Sequence, residues 1–248
     1  MLRMPFGGHA MIVALTALAL SATATTVAQA RPVEEPRMLL ELQGGTYVPD
    51  VDAAFDGATP WRDSFNDKSM TLFRGEFDFQ FLRGFGSLGV GFGAGYGWID
   101  GYAVNASGDA TDDQIGFNIA PFALSLVYRW DWAAVKHNVP LVPYVKVGLD
   151  AQVWWATDAK GNIASSSAAG GGSRRATGVT FGWHVSGGLM LLLDVFSRGM
   201  AASLEDETGV KNSYLFAELS RTNINDFGSS TSIDLSDSAF SFGLAFEF

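Results

Sequence analysis

Phe73-Arg-Gly-Glu-Phe-Asp-Phe-Gln-Phe81 decides the fold. Phe73, Phe77, Phe79 and Phe81 fall on one face, and Arg74, Glu76, Asp78 and Gln80 on the other. That is a period of two, the signature of a strand. Further along, Leu88, Val90, Phe92, Ala94, Tyr96 and Trp98 share a face opposite Gly89, Gly91, Gly93, Gly95 and Gly97. Val145, Val147, Leu149, Ala151 and Val153 alternate with Lys146, Gly148, Asp150 and Gln152. Phe240, Phe242, Leu244, Phe246 and Phe248 alternate with Ala239, Ser241, Gly243, Ala245 and Glu247.

Eight such strands are read near 38–48, 70–82, 87–99, 114–130, 141–156, 178–193, 212–222 and 238–248. Pro121 interrupts the fourth and predicts a bulge or irregularity there. Long polar connections at 49–69, 100–113, 157–177 and 223–237 take turns with shorter or more ordered ones at 83–86, 131–140 and 194–211. The last of these reads as a short amphipathic helix ending near Gly209. Ala164-Ser-Ser-Ser-Ala-Ala-Gly-Gly-Gly-Ser173 is a low-complexity loop.

Alternation alone does not say which face points out. Several strands exceed the ordinary length and approach the ~9–11 residues that cross a bilayer tilted. Loop length alternates, as when two rims face different compartments. Aromatic residues gather at strand ends: Tyr96, Trp98, Trp154, Trp155 and Trp183 towards one rim, Tyr128, Trp130 and Trp132 towards the other. Tyr and Trp favour a membrane interface because the ring is apolar on one side and polar on the other. Glycine is a poor strand former, so five in a row on one face make sense inside a narrow barrel, leaving room for Arg74, Arg129 or Lys146. The expected fold is therefore all-β: a closed antiparallel transmembrane β-barrel, eight-stranded, with both termini periplasmic and the long loops outside.

The N-terminus agrees. Arg3 precedes an apolar run from Met11 to Leu20, and small residues end in Ala28-Gln-Ala30. This is the pattern of a secretory signal peptide. The layout is thus a signal peptide at 1–30, a short lead at 31–37 and the barrel at 38–248. The formal charge is −10; residues 1–30 hold one Arg and no acid, so removing them gives −11. An acidic chain has no electrostatic reason to bind nucleic acid. Without cysteine there is no disulfide framework and no acylation site. The apolar run Leu189-Met-Leu-Leu-Leu193 falls far short of the ~18 residues of a membrane helix.

Gly44-Gly-Thr-Tyr-Val-Pro-Asp-Val-Asp-Ala-Ala-Phe55 resembles the start of a family of outer-membrane β-barrel proteins known from myxobacteria. So do Gly75-Glu-Phe-Asp-Phe-Gln-Phe-Leu82, Val139-Pro-Leu-Val-Pro-Tyr-Val-Lys-Val-Gly148, Phe181-Gly-Trp-His184 and Tyr214-Leu-Phe-Ala-Glu218. The resemblance implies a Gram-negative outer-membrane barrel, similar in architecture to OmpA-type eight-stranded barrels. It implies no activity.

On this reading the inward face carries Glu41, Arg74, Glu76, Asp78, Arg129, Lys146, Asp150, Glu218 and Glu247. An eight-stranded barrel is only wide enough for its own side chains, and charges confined there should pair. A salt-bridged plug is the first expectation. A narrow path for small solutes, leaning to cations because acids outnumber bases, is the alternative. His184 and Ser186 lie two apart on one face, with Asp150 a candidate neighbour, which keeps a lipid hydrolase open, although no nucleophile elbow is visible. Asp50, Asp52, Asp56, Asp109, Asp112 and Asp113 make the loops acidic, without the spacing of a calcium loop. Arg174 and Arg175 could meet lipid phosphates. No metal or cofactor motif is found, and no enzyme is expected. The expected partners are outer-membrane lipid and lipopolysaccharide, and the barrel-assembly machinery through the last strand ending in Phe248, with the barrel itself a monomer.

Overall fold

The computed structural model describes residues 37–55, 57–105, 109–137, 139–167, 173–229 and 232–248. The leader at 1–30 and all of the lead before Arg37 lie outside them. Eight strands close into an antiparallel barrel. They are β1 (Met38–Tyr47), β2 (Met70–Arg83), β3 (Ser87–Val104), β4 (Ala110–Arg129) and β5 (Leu141–Thr157), then β8 (Thr177–Leu192), β9 (Asn212–Ile224) and β10 (Asp237–Glu247). Each pairs with its sequence neighbour, and β1 pairs with β10 to close the ring. Within the loop between β5 and β8, β6 (Ser165–Ser167) and β7 (Ser173–Arg175) form a small hairpin.

Three expectations change. β3 and β4 run well past the 87–99 and 114–130 read from the sequence, so the loop expected at 100–113 is mostly a strand hairpin. Gln114 pairs with Tyr102 and Ala110 with Val104. Pro121 causes no register shift. The partners before and after it keep one register, Ala94 with Phe122 and Gly97 with Ile119. The expected irregularity is there without a bulge: pairing towards β3 lapses at Ala120 and Pro121, and proline has no N–H to give. The shifts lie instead between Gln80 and Leu82 and between Tyr102 and Val104.

The third change is in the first long loop. A 3-10 turn (Val51–Ala54) leads to α1 (Pro60–Phe65). Pro60 opens the helix, where its missing N–H costs nothing. Both carboxylate oxygens of Asp52 accept the next N–H groups, from Trp61 at 2.6 Å and Arg62 at 3.2 Å. Asn66, left-handed at φ 55°, ends it. Trp61 and Phe65, four apart, then share one face of the helix and both are buried. On the opposite rim, α2 (Trp132–His137) follows β4. α3 (Arg198–Thr208) ends at Gly209, φ 78°, as the sequence indicates.

Inside the ring the filling is layered. On the long-loop side Tyr47, Val51, Trp61, Phe65, Met70, Leu72, Ile99, Phe117, Ile119, Ile224 and Leu235 form one apolar cluster. On the side of the termini Leu39, Val142, Tyr144, Met190, Tyr214, Phe216 and Ala245 form another. The charges expected to fill the lumen occupy only part of it.

Candidate functional site

Inward positions follow from strand parity, and parity brings four strands to one lysine. Lys146 on β5 is 2% exposed. Its Nζ lies 2.6 Å from Glu41 Oε2 on β1, 2.8 Å from Glu76 Oε1 on β2 and 3.6 Å from Glu218 Oε2 on β9. The Tyr144 hydroxyl donates to Glu218 at 3.1 Å. Among the described residues, neither carboxylate oxygen of Asp78, 1% exposed, has a hydrogen-bond partner, nor has one oxygen of Glu41. Three buried carboxylates thus share one ammonium, with Asp78 buried beside them. A bare charge in such a place is costly and a paired one roughly breaks even, so Lys146 is the residue on which this layer depends.

A second knot lies at the rim of the termini, around Glu247. It meets Arg129 Nη1 at 3.3 Å and Arg83 Nη2 at 3.5 Å. It also accepts from Asn212 (2.8 Å), Tyr214 (3.0 Å) and Gln80 (3.3 Å). The Arg129 guanidinium lies 5.4 Å from the Tyr214 ring centre, a cation–π contact. Arg74 faces inward, half-buried, and forms no ion pair among the described residues. It stands beside the network, not within it.

The inward stripe Gly89, Gly91, Gly93, Gly95 and Gly97 makes room for β2. A Cβ at Gly91 would strike Asp78 Oδ1 and come within 2.8 Å of Glu76 Oε1. At Gly95 it would come within 2.8 Å of Arg74 Cγ and 3.2 Å of the Pro121 ring. Arg129 and Lys146, expected to use that space, are not the neighbours met there.

His184 finds a different serine from the one expected. Its Nδ1 lies 2.7 Å from Asp150 Oδ2 and its Nε2 3.3 Å from Ser125 Oγ on β4. Ser186, two residues along the same strand, is roughly 7 Å away in backbone. Ser125, Gly148 and His184 lie in one row of the register across β4, β5 and β8. Gly148 lets the imidazole cross, since a Cβ there would come within 2.6 Å of His184 Cε1. The signal was in the sequence, in the gap of the Lys146-x-Gly148-x-Asp150 face, but it needed the strand register to be read. All three polar partners are buried. The arrangement has the order of a Ser–His–Asp relay and the surroundings of a structural clamp.

Outside the ring the polarity is reversed. Phe92 is 58% exposed, and Phe73, Phe77, Leu124, Leu149, Phe181, Leu219 and Phe242 stand out likewise. Tyr96, Trp98 and Trp155 stack at the long-loop side, with ring centres 5.6 and 6.1 Å apart, and Trp183 is exposed on β8. Trp130 and Trp132 flank Phe85 at the other end, at 5.7 and 5.5 Å. Trp98 pairs with Asn118, and Tyr128 lies ten residues further along β4. Ten residues span roughly 33 Å, or about 25 Å for strands tilted ~40°. Trp154 is the exception among the strand-end aromatics. It points inward, stacks on Phe117 at 6.3 Å and donates to Thr180 at 3.2 Å.

In the loops, Asp56 and the Arg174 side chain lie outside the described residues. Asp52 is occupied as the α1 cap, and Asp109 N–H bonds Asn105 at 3.0 Å. Among the described residues no three His, Asp or Glu side chains converge as a metal site.

No family model and no curated protein matches the chain. It is similar to several solved barrels at low identity. The outer membrane protein OprG from Pseudomonas aeruginosa matches at TM-score 0.48 and 15% identity, over 86% of this chain and 96% of that one. Neisserial surface protein A matches at 0.45 and 12%, over 85% and 97%. The outer membrane enzyme PagL matches at 0.37 and 13%, over 85% and 98%. At these values the likenesses carry no argument about ligand or activity. The fold stands on its own topology: a closed eight-stranded antiparallel β-barrel.

Proposed function

We propose that this chain is a small outer-membrane barrel with a closed lumen, whose long loops form its working surface. One observation carries the reading: large apolar side chains cover the outside while the ion-paired charges lie inside. Phe92 and its outward neighbours would meet water in a soluble barrel, while Glu41 is 0% exposed. In lipid the same arrangement is the stable one, since a closed ring also satisfies every backbone N–H and C=O. The ~25 Å between the aromatic rows equals the apolar band of such barrels.

Closure is supported by the apolar clusters on both sides of the charged layer, so a solute path would need α1 to leave the barrel mouth. The cation-leaning channel therefore stands second. A hydrolase is disfavoured by the burial of His184, Asp150 and Ser125. Export by the 1–30 leader, periplasmic termini, contact with lipopolysaccharide, assembly through the strand ending in Phe248 and a monomeric state belong to the same proposal, as does kinship with the myxobacterial-type family on the stretches quoted.

The test is fractionation of expressing cells. An outer-membrane band that resists urea extraction and changes mobility on heating in SDS is the expected result. Soluble monomer in the periplasm would contradict the proposal. Deleting 160–175 should leave that band intact and remove a surface-contact phenotype; if no contact phenotype changes, that loop is not the working surface.

A further inference from the structure

At the long-loop rim, beside the entry to β10, lies a concave site of about 320 Å³. That is at the lower end of the range for small-molecule sites. Asp52, Asp67 and Asp237 line it, and each is already engaged. Asp52 holds the two α1 N–H groups. Asp67 accepts from Arg62 Nε at 3.0 Å. Asp237 accepts from the Val48 N–H at 3.0 Å and the Ser238 N–H at 2.6 Å.

Two further lining groups are not so engaged. The Asp50 side chain makes no bond to the turn it precedes. Arg221 donates Nη1 to Ser238 Oγ at 2.7 Å, and among the described residues no carboxylate lies within 4 Å of it. Asp50 and Arg221 do not pair with each other either. Both are anchored to the same short segment. The Asp50 N–H bonds Ser236 O at 3.1 Å, and Arg221 bonds Ser238. Those anchors are two residues apart in extended chain, roughly 7 Å. The wall behind them includes Trp61, 3% exposed, whose indole N–H has no partner among the described residues.

The Asp50 carboxylate and the Arg221 guanidinium line one concave wall without pairing with each other, and together they complement a molecule that carries both charges. Guanidinium favours planar or tetrahedral oxyanions, which it binds with paired N–H groups. A carboxylate accepts from an ammonium. We propose that this site binds a small zwitterion carrying a phosphate and an ammonium group, of the phosphoethanolamine kind, either as a free molecule or as the headgroup of a lipid. The site needs the folded loop rim alone. It stands or falls separately from the closure of the lumen and from the compartment that the rim faces.

The experiment is calorimetric titration of the refolded full chain in octyl glucoside with O-phosphoethanolamine, inorganic phosphate and ethanolamine. Phosphoethanolamine should bind at least tenfold more tightly than either half. Arg221→Gln and Asp50→Asn should each weaken it tenfold or more, with the heat-modifiable band unchanged as proof of folding. A short-chain phosphatidylethanolamine that competes, where phosphatidylglycerol does not, identifies a lipid headgroup as the source; competition by neither lipid identifies the free molecule. Phosphate alone binding as tightly as phosphoethanolamine would overturn the proposal, as would unchanged affinity in both variants.

Discussion

The loop side of the lumen and its central layer are filled by opposite chemistry within one ring of strands. The loop side is packed like the interior of a soluble protein, with Trp61 from α1 against Phe117 at 5.5 Å, Phe65 beside Trp61 at 4.6 Å, and the aliphatic strand ends around them. The central layer is held by Lys146 among Glu41, Glu76 and Glu218. The difference follows from what closes each region. A loop that folds back into the mouth needs an apolar underside to stay there, because burial of apolar area is what holds it. The middle of the barrel is closed by strands alone, whose inward side chains meet one another across the axis. Charges of opposite sign are tolerated there because Lys146 sits among three of the carboxylates. Packing sets the strength of one region and pairing that of the other, so the two should fail in different ways.

Lys146→Leu should have the largest effect. It leaves the carboxylates of Glu41, Glu76 and Glu218 buried without a cation, at a cost of about 3–5 kcal/mol. Urea unfolding of the refolded barrel in lipid vesicles measures it. A change under ~1 kcal/mol would show that the layer is not held by charge pairing.

Trp61→Ala removes the centre of the loop-side cluster and should cost about 3 kcal/mol, the low end for a buried tryptophan because the helix rests at the mouth. The distinguishing sign is local: protease cleavage within 49–69 should appear while the barrel strands stay protected. Cleavage unchanged from the parent would mean that α1 is not held by this contact.

Phe92→Arg tests the outer surface. In a bilayer it should cost roughly 2–4 kcal/mol, since Phe92 lies well inside the apolar band. On a water-facing strand the same change would be nearly neutral, and a neutral result in vesicles would contradict the inside-out reading.

His184→Ala should be smallest, about 1–2 kcal/mol, the usual penalty for leaving the buried hydrogen-bonding groups of Asp150 and Ser125 unsatisfied. Ser186→Ala should do less, because Ser186 does not share that clamp.

Much of this comparison was legible in the sequence. A period of two is a local property, so strand boundaries such as 70–82 against the observed Met70–Arg83 could be read directly. So could the inward charges, which parity assigns strand by strand. What could not be read were meetings between distant strands. Lys146 contacts Glu41 across 105 positions, and Ser125 reaches His184 only because Gly148 leaves a gap between them. The insertion of α1 is not legible in the sequence because a six-residue helix in a polar loop shows little periodicity. Pro60 with Trp61 and Phe65 four apart was the trace it left. Trp154 stands at the strand end read for it, but clustering there says nothing of parity, and an even number shared with Lys146 sends it inward.

Conductance of the purified barrel in planar lipid bilayers tests the closed lumen most directly. Apolar clusters on both sides of the paired charges predict a silent membrane at moderate voltage and neutral pH, and Trp61→Ala, which loosens one side alone, should stay silent too. Steady, reproducible single-channel steps from the unaltered chain would contradict the account.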